Sequence, residues 1–227
     1  MPIITLTTDL GQQDHYVAAL KGAILTQCTN AVIVDVTHEI AKHDIFQAAF
    51  VLKNAFVHFP EGAVHLVSVN SGSISGNQHL AFQEKGHFFI GPDNGLFSLV
   101  HDAVPDKLFE ITVKPENDFE SFPARDLYAR VACHIGKGGK PDVIGKRVST
   151  WQERTIIQPI VETNQIRGYV IYIDSYENVI TNITRQQFDV CCNGRKFTIY
   201  CRKAEYEINE LSASYTEVPE GEKFAIF

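Results

Sequence analysis

Several polar residues stand where the local pattern would let them do chemistry. Asp9 closes a short β-rich run from Ile3 to Thr7, and Asn70 closes another from Val64 to Val69. In open parallel sheets, ligands bind beyond the carboxyl ends of strands. A carboxylate at such an end accepts two hydrogen bonds, which suits a diol such as a ribose. The same carboxylate can equally cap the turn that follows it. Pro92-Asp93-Asn94-Gly95 joins a fixed φ at proline to a glycine that tolerates positive φ. A plain turn explains that motif, and a loop lining a pocket also fits. Asp174-Ser175-Tyr176-Glu177-Asn178 follows one strand-like run and precedes another. Its acid, aromatic ring and amide could hold an ammonium, a ring face and a purine edge. A solvated β-turn accounts for the spacing by itself.

Other chemistries find little support. His38 lies near Asp35 and His43 near Asp44, but no two-histidine metal motif occurs. Cys133 and His134 are neighbours on a helical pattern, so they face different directions. His65 alternates along a strand and reads as a satisfied core or boundary histidine. Arg125-Asp126 reads as an ion pair at a helix start. Neither a phosphate-binding glycine motif nor a nucleophile elbow is present.

The elements that must position these residues alternate through the first two thirds of the chain. Tyr16, Val17, Leu20 and Ile24 recur at helical spacing. Ala31 to Val36 is a nearly continuous apolar run, the pattern of a buried parallel strand. Asp44 is an N-cap candidate for a helix from Ile45 to Phe56. A β-α-β-α-β order predicts a parallel sheet with helices on both faces. Leu80–Phe82 and Phe88–Ile90 read as short strands, and Asp126–Gly136 as a helix. From Thr155 onward short strand-like runs dominate and no long helix is predicted, which suggests a small β-barrel or sandwich. Cys191 and Cys192 then fall on a strand, facing opposite sides. The expected division is an α/β domain over 1–155 and a small β-barrel domain over 156–227.

Composition narrows the partners. The 227-residue chain carries a net charge of −7, which gives no bulk attraction for nucleic acid or anionic lipid. No apolar run is long enough to span a bilayer, and no signal peptide precedes the first strand. Five cysteines, with no C-x-x-C, indicate neither a disulfide framework nor a zinc knuckle. They read as structural thiols, and a reducing cytoplasm is the simplest setting.

Taken in order, several segments resemble the S-adenosyl-L-methionine (SAM) hydroxide adenosyltransferase family, relatives of the bacterial fluorinase and chlorinase. They are Thr7-Thr8-Asp9-Leu10-Gly11 with Asp14, Tyr16-Val17 and Lys21-Gly22; Ile33 to His38; Asp44-Ile45; Ala48-Ala49; and Phe59-Pro60-Glu61-Gly62 with Val64-His65. Gly91-Pro92-Asp93-Asn94-Gly95-Leu96, Arg125-Asp126, Ile173-Asp174 through Asn178, and Thr181-Asn182-Ile183 complete the match. The resemblance implies an N-terminal α/β domain, a C-terminal β-barrel, and a homotrimer. Its site would lie between the first domain of one subunit and the barrel of its neighbour. It also implies binding of SAM, attack of water on ribose C5′, and release of adenosine and L-methionine, with no separate cofactor or metal. By the same resemblance Asp9 would bind ribose, Asn94 would shape the pocket, Asp174 would meet the methionine ammonium and Asn178 the adenine edge. Asn70 and Tyr176 join them as expected ligand-binding residues.

The family's proton-handling Asp, Arg and His are replaced. Asn70 stands for the aspartate, Asn77 lies in the stretch matching the arginine, and Pro123 stands for the histidine. A carboxamide is no base, and proline offers no side-chain donor or acceptor. Glu177 occupies a turn position where the family has glycine, and the family's Asn-Ser-x-Gly segment would fall beyond Phe227. A non-catalytic nucleoside binder and a purely structural trimer are the alternatives to a hydrolase.

Overall fold

The computed structural model describes residues 1–72, 78–114, 121–201 and 207–227, which form two compact units, Met1–Ile156 and Ile157–Phe227. In the first, β1 (Ile3–Thr8), β2 (Val32–Thr37), β3 (Val64–Ser68), β4 (His79–Glu84), β5 (His87–Pro92), β6 (Lys107–Ile111) and β7 (Gly145–Arg147) make one sheet. Its order is β2-β1-β3-β5-β4-β6-β7. The β2-β1-β3-β5 half is parallel, and β4, β6 and β7 add antiparallel pairings. The chain runs outward from β1 to β2 and then crosses to β3 on the other side. The topological switch point is therefore the crevice between the carboxyl ends of β1 and β3.

Helices cover both faces, as the β-α-β order predicts. α1 (Tyr16–Gln27), a π-helical turn at Ala124–Tyr128 and α4 (Ala129–Gly136) belong to one apolar cluster with Ile4, Leu6 and Leu66. α2 (Ile45–Phe56) and α3 (Leu96–Val100) belong to the other, with Val67, Phe82 and Phe89. Leu66 and Val67 are adjacent in β3 yet sit in different clusters, because successive strand residues point to opposite faces. Both are fully buried. Asp44 caps α2 as expected, its Oδ1 accepting from Phe46 N and Gln47 N, each at 3.0 Å. Gly91 has a steric reason: a Cβ there would stand 2.7 Å from Val67 O and 2.9 Å from the Phe97 ring.

β2 departs from the expectation of a buried strand. It is parallel, but it lies at the sheet edge and none of its residues is fully buried. An apolar run reports the favoured faces of a strand, not whether both edges are paired.

The second unit holds short antiparallel pairs: β8 (Ile160–Val161) with β9 (Ile166–Arg167), β10 (Val170–Ile173) with β11 (Val179–Thr181), and β12 (Ile199–Tyr200) with β13 (Glu207–Ile208). It also contains α5 (Arg185–Cys192), which the sequence reading missed. Thr184 and Gln187 form a reciprocal capping box that nucleates it. Phe188 then packs 4.9 Å from Phe197 and 5.4 Å from Phe227, ring centre to ring centre. Cys191 and Cys192 consequently end a helix and do not face opposite sides of a strand.

Candidate functional site

Asp9 follows β1 directly, and the loops after β2 and β3 close upon it. Its Oδ2 accepts from His43 N at 3.0 Å and from Asn70 N at 3.2 Å. The Lys42 ammonium donates to the Asp9 carbonyl, and Asp9 N donates to Ser68 O at 3.4 Å. The Asp9 side chain is only 13% exposed, and Oδ1 has no hydrogen-bond partner among the described residues. One oxygen is thus fixed by two backbone amides while the other keeps its acceptor capacity. Asp9 does not cap its own following turn; it ties together the loops after β2 and β3.

Two loop residues take positive φ around this carboxylate, Asn70 at 51° and His43 at 67°. Asparagine enters the left-handed region more readily than most residues. That conformation points the Asn70 amide at Asp9. The sequence reading weighed His43 only as a metal ligand beside Asp44. Its hydrogen bond to Asp9 comes from its backbone N–H, for which residue type gives no signal, while its imidazole Nδ1 stands 3.9 Å from the same Oδ2.

Behind Asp9, Thr8 Oγ1 lies 2.8 Å from Nδ1 of the buried His38. His38 Nε2 is 3.1 Å from Asp35 Oδ1. Burial works against ionisation of Asp35, yet Lys21 and His38 outweigh it and hold the carboxyl below its ordinary range. These groups brace the switch point. Among the described residues no cluster of three or more His, Cys, Asp or Glu is placed to hold a metal ion.

Asn94 is buried one strand further along. Its Nδ2 donates to Val69 O at 3.0 Å and its Oδ1 accepts from Leu96 N at 3.1 Å. It ties the residue before Asn70 to the start of α3, while Gly95 makes the turn with φ of 91°. Asp9, Asn70 and Asn94 therefore form one connected set. Pro123 is the residue before the π-helical turn. The neighbouring Arg125 donates to both oxygens of Asp126, at 2.6 and 2.9 Å, the ion pair expected at this helix start. Asn77 lies outside the described residues.

In the second unit, Asp174 organises its own turn. Oδ1 accepts from Tyr176 N and Asn178 N, and Oδ2 accepts from Asn178 Nδ2, all at 2.8–2.9 Å. The Asn178 side-chain bond leads in lowering the Asp174 pKa, so the group stays ionised. Tyr176 is 86% exposed, and Glu177 takes a φ of 65°. The turn holds an anion and an uncovered aromatic ring side by side.

The SAM hydroxide adenosyltransferase N-terminal domain matches residues 4–145, and the corresponding C-terminal domain matches residues 168–227. An (R)-S-adenosyl-L-methionine hydrolase of Methanocaldococcus jannaschii is 31% identical over 193 residues, covering 82% of this chain and 69% of the relative. The enzyme of that name from Thermus thermophilus is 30% identical over 190 residues, covering 78% and 73%. A crystal structure of an uncharacterized conserved protein from Thermotoga maritima superposes with a TM-score of 0.84 at 28% identity, covering 99% of this chain and 88% of that one.

Proposed function

This chain belongs to the SAM hydroxide adenosyltransferase family, and from that premise we propose that it binds SAM and adenosine while hydrolysing SAM only slowly. The observation that carries the reading is the Asp9 carboxylate at the switch point. Nearly buried and anchored by two amides through Oδ2, it retains Oδ1 as an acceptor for a ribose hydroxyl. Anchoring matters because a pre-oriented acceptor loses little freedom on binding. Asp174 and Asn178 supply an ionised acid and an amide suited to an ammonium and a purine edge. Tyr176 adds a ring face.

In the hydrolysis, a water oxygen forms a bond to C5′ as the C5′–sulfur bond breaks. The bonding pair leaves on sulfur, giving neutral methionine thioether, and one water proton must go to a base. The sulfonium leaves readily, so alignment of the nucleophile does much of the work. Proton removal is where this chain is poor, since neither Asn70 nor Pro123 can accept one. General base catalysis contributes roughly 10²–10⁴-fold, and that is the expected scale of the deficit.

We read the active form as a homotrimer in the cytoplasm, with 1–155 and 156–227 as its domains and no cofactor beyond SAM itself. In support of assembly, no described residue of the second unit is fully buried, and Val170, Ile173 and Val179 are each more than half exposed. No helix among the described residues is long and apolar enough to cross a membrane.

Calorimetric titration with adenosine and SAM, paired with chromatographic detection of adenosine, tests the reading. Both ligands should give saturable heat. Hydrolysis should fall at least about 100-fold below that of a relative bearing the full trio. Asp9→Asn should weaken adenosine binding about tenfold or more, by the loss of a charge-assisted bond. Absence of both heat and thermal stabilisation with either ligand would reject the proposal.

A further inference from the structure

The same end of the sheet carries a second polar recess, at the carboxyl ends of β5 and β6 with the start of β4 between them. Gln78, Leu80, Asp93, Glu110, Trp151 and Gln152 help line a cavity of about 240 Å³. The lining includes two carboxylates and no Lys, Arg or His. We propose that this cavity is a binding site for a small organic ammonium ion, held between Asp93 and the indole of Trp151, with Glu110 adding negative charge.

Asp93 sets the character of the recess. Its side chain belongs to a residue only 6% exposed. Oδ1 accepts from Gln152 N at 2.7 Å, and Oδ2 has no partner among the described residues. A neutral carboxamide would serve Gln152 equally well through its oxygen. A buried carboxylate is costly unless a cation compensates it. Burial, with Glu110 nearby, pushes the Asp93 carboxyl above its ordinary pKa, although the Gln152 amide pulls the other way. Glu110 has a cation, Lys146, 3.0 Å away, but the Lys146 side chain is 65% exposed and does not line the cavity.

Trp151 decides the class of cation. Its ring is fixed by edge contact with Phe82, 5.7 Å between centres, and by His101 at 6.3 Å. A cation over an indole gains attraction from the ring, most when desolvated. A divalent metal gains nothing from that wall and needs more oxygen ligands than two carboxylates provide. The cavity volume suits an ion of few heavy atoms. This recess is distinct from the Asp9 crevice, so the inference does not depend on nucleoside binding.

Trp151 is the sole tryptophan, so its fluorescence reports this cavity directly. The test titrates the full-length protein with tetramethylammonium chloride against sodium chloride at equal ionic strength, above neutral pH so that Asp93 is ionised. A magnesium chloride arm runs in parallel. A saturable change with tetramethylammonium alone is expected. Asp93→Asn, which keeps an acceptor for Gln152, should weaken it at least tenfold, and Glu110→Gln at least threefold. If Asp93→Asn fails to fold, Glu110→Gln carries the same comparison. An equal response to sodium, a saturable response to magnesium, no saturation, or unchanged affinity in the folded variants overturns the site.

Discussion

Acid should destabilise the first unit, and the cause is a buried histidine cluster. His65 Nδ1 lies 2.8 Å from Thr5 Oγ1, and its Nε2 lies 3.1 Å from His87 Nδ1. His101 packs with ring centres 4.6 Å from Phe89, 5.2 Å from Phe82 and 5.9 Å from Phe56. Burial is the main reason His65 is held down to about 3 and His101 to about 4. His87 and His101 add repulsion at His65; Lys85 and Lys53 add it at His101, against the opposing pull of Asp102. His87 is also lowered by burial, opposed by Glu61.

An unfolded histidine titrates near 6.5, so the unfolded chain binds more protons below that pH. The stabilisation is present above about 6.5 and is lost as pH falls toward the folded values. From about pH 7.5 to about pH 5, each of His65 and His101 should remove about 2 kcal/mol, or about 4 kcal/mol together. The lowered Asp35 loses its contribution only at more acidic pH, near and below the ordinary aspartate value. The raised Asp93 has the opposite sign, gaining stability as it protonates.

Urea unfolding followed by Trp151 fluorescence measures the effect beside the cluster itself. His101→Phe is the decisive variant. His101 Nε2 has no hydrogen-bond partner among the described residues, so phenylalanine there forfeits no bond at that atom. The variant should match or exceed the parent at neutral pH and halve the acid loss to about 2 kcal/mol. A parent whose stability is flat over this range, or a His101→Phe variant with an unchanged pH slope, would refute the reasoning.

Two further substitutions probe backbone geometry. Gly91→Ala should cost about 1–3 kcal/mol, because the new methyl group is driven into Val67 O and the Phe97 ring; thermal unfolding measures it. Glu177→Gly should gain about 1 kcal/mol in the second unit, since the 65° φ at that residue strains a side chain and not a glycine. Urea titration by circular dichroism reads the gain, and an equal loss would show that the Glu177 side chain contributes more than its backbone costs.

Much of the architecture was legible in the residue pattern. The apolar runs and helical spacings located β1, α1, β3 and α2, and the short polar residues at their ends marked Asp9, Asn70 and Asn94. Asp44 declared a cap because that signal is carried by one residue and the two amides after it. α5 was missed for the opposite reason. It is only eight residues long and half of those are polar, and its start depends on the paired bonds of Thr184 and Gln187.

Sequence alone thus determined which segments would become strands or helices, and which polar side chains would stand at their ends. Those properties follow from periodicity and torsional preference within a few residues. The fold decided that β2 would be an edge, that Asp9 would be gripped by His43 and Asn70, and that Asp93 would face a cavity beside Trp151. Each of these depends on contacts between residues tens of positions apart, such as Asp9 and Asn70 or Asp93 and Gln152. No local preference encodes such a meeting; it exists only once the hydrophobic layers have packed and fixed where the loops can run.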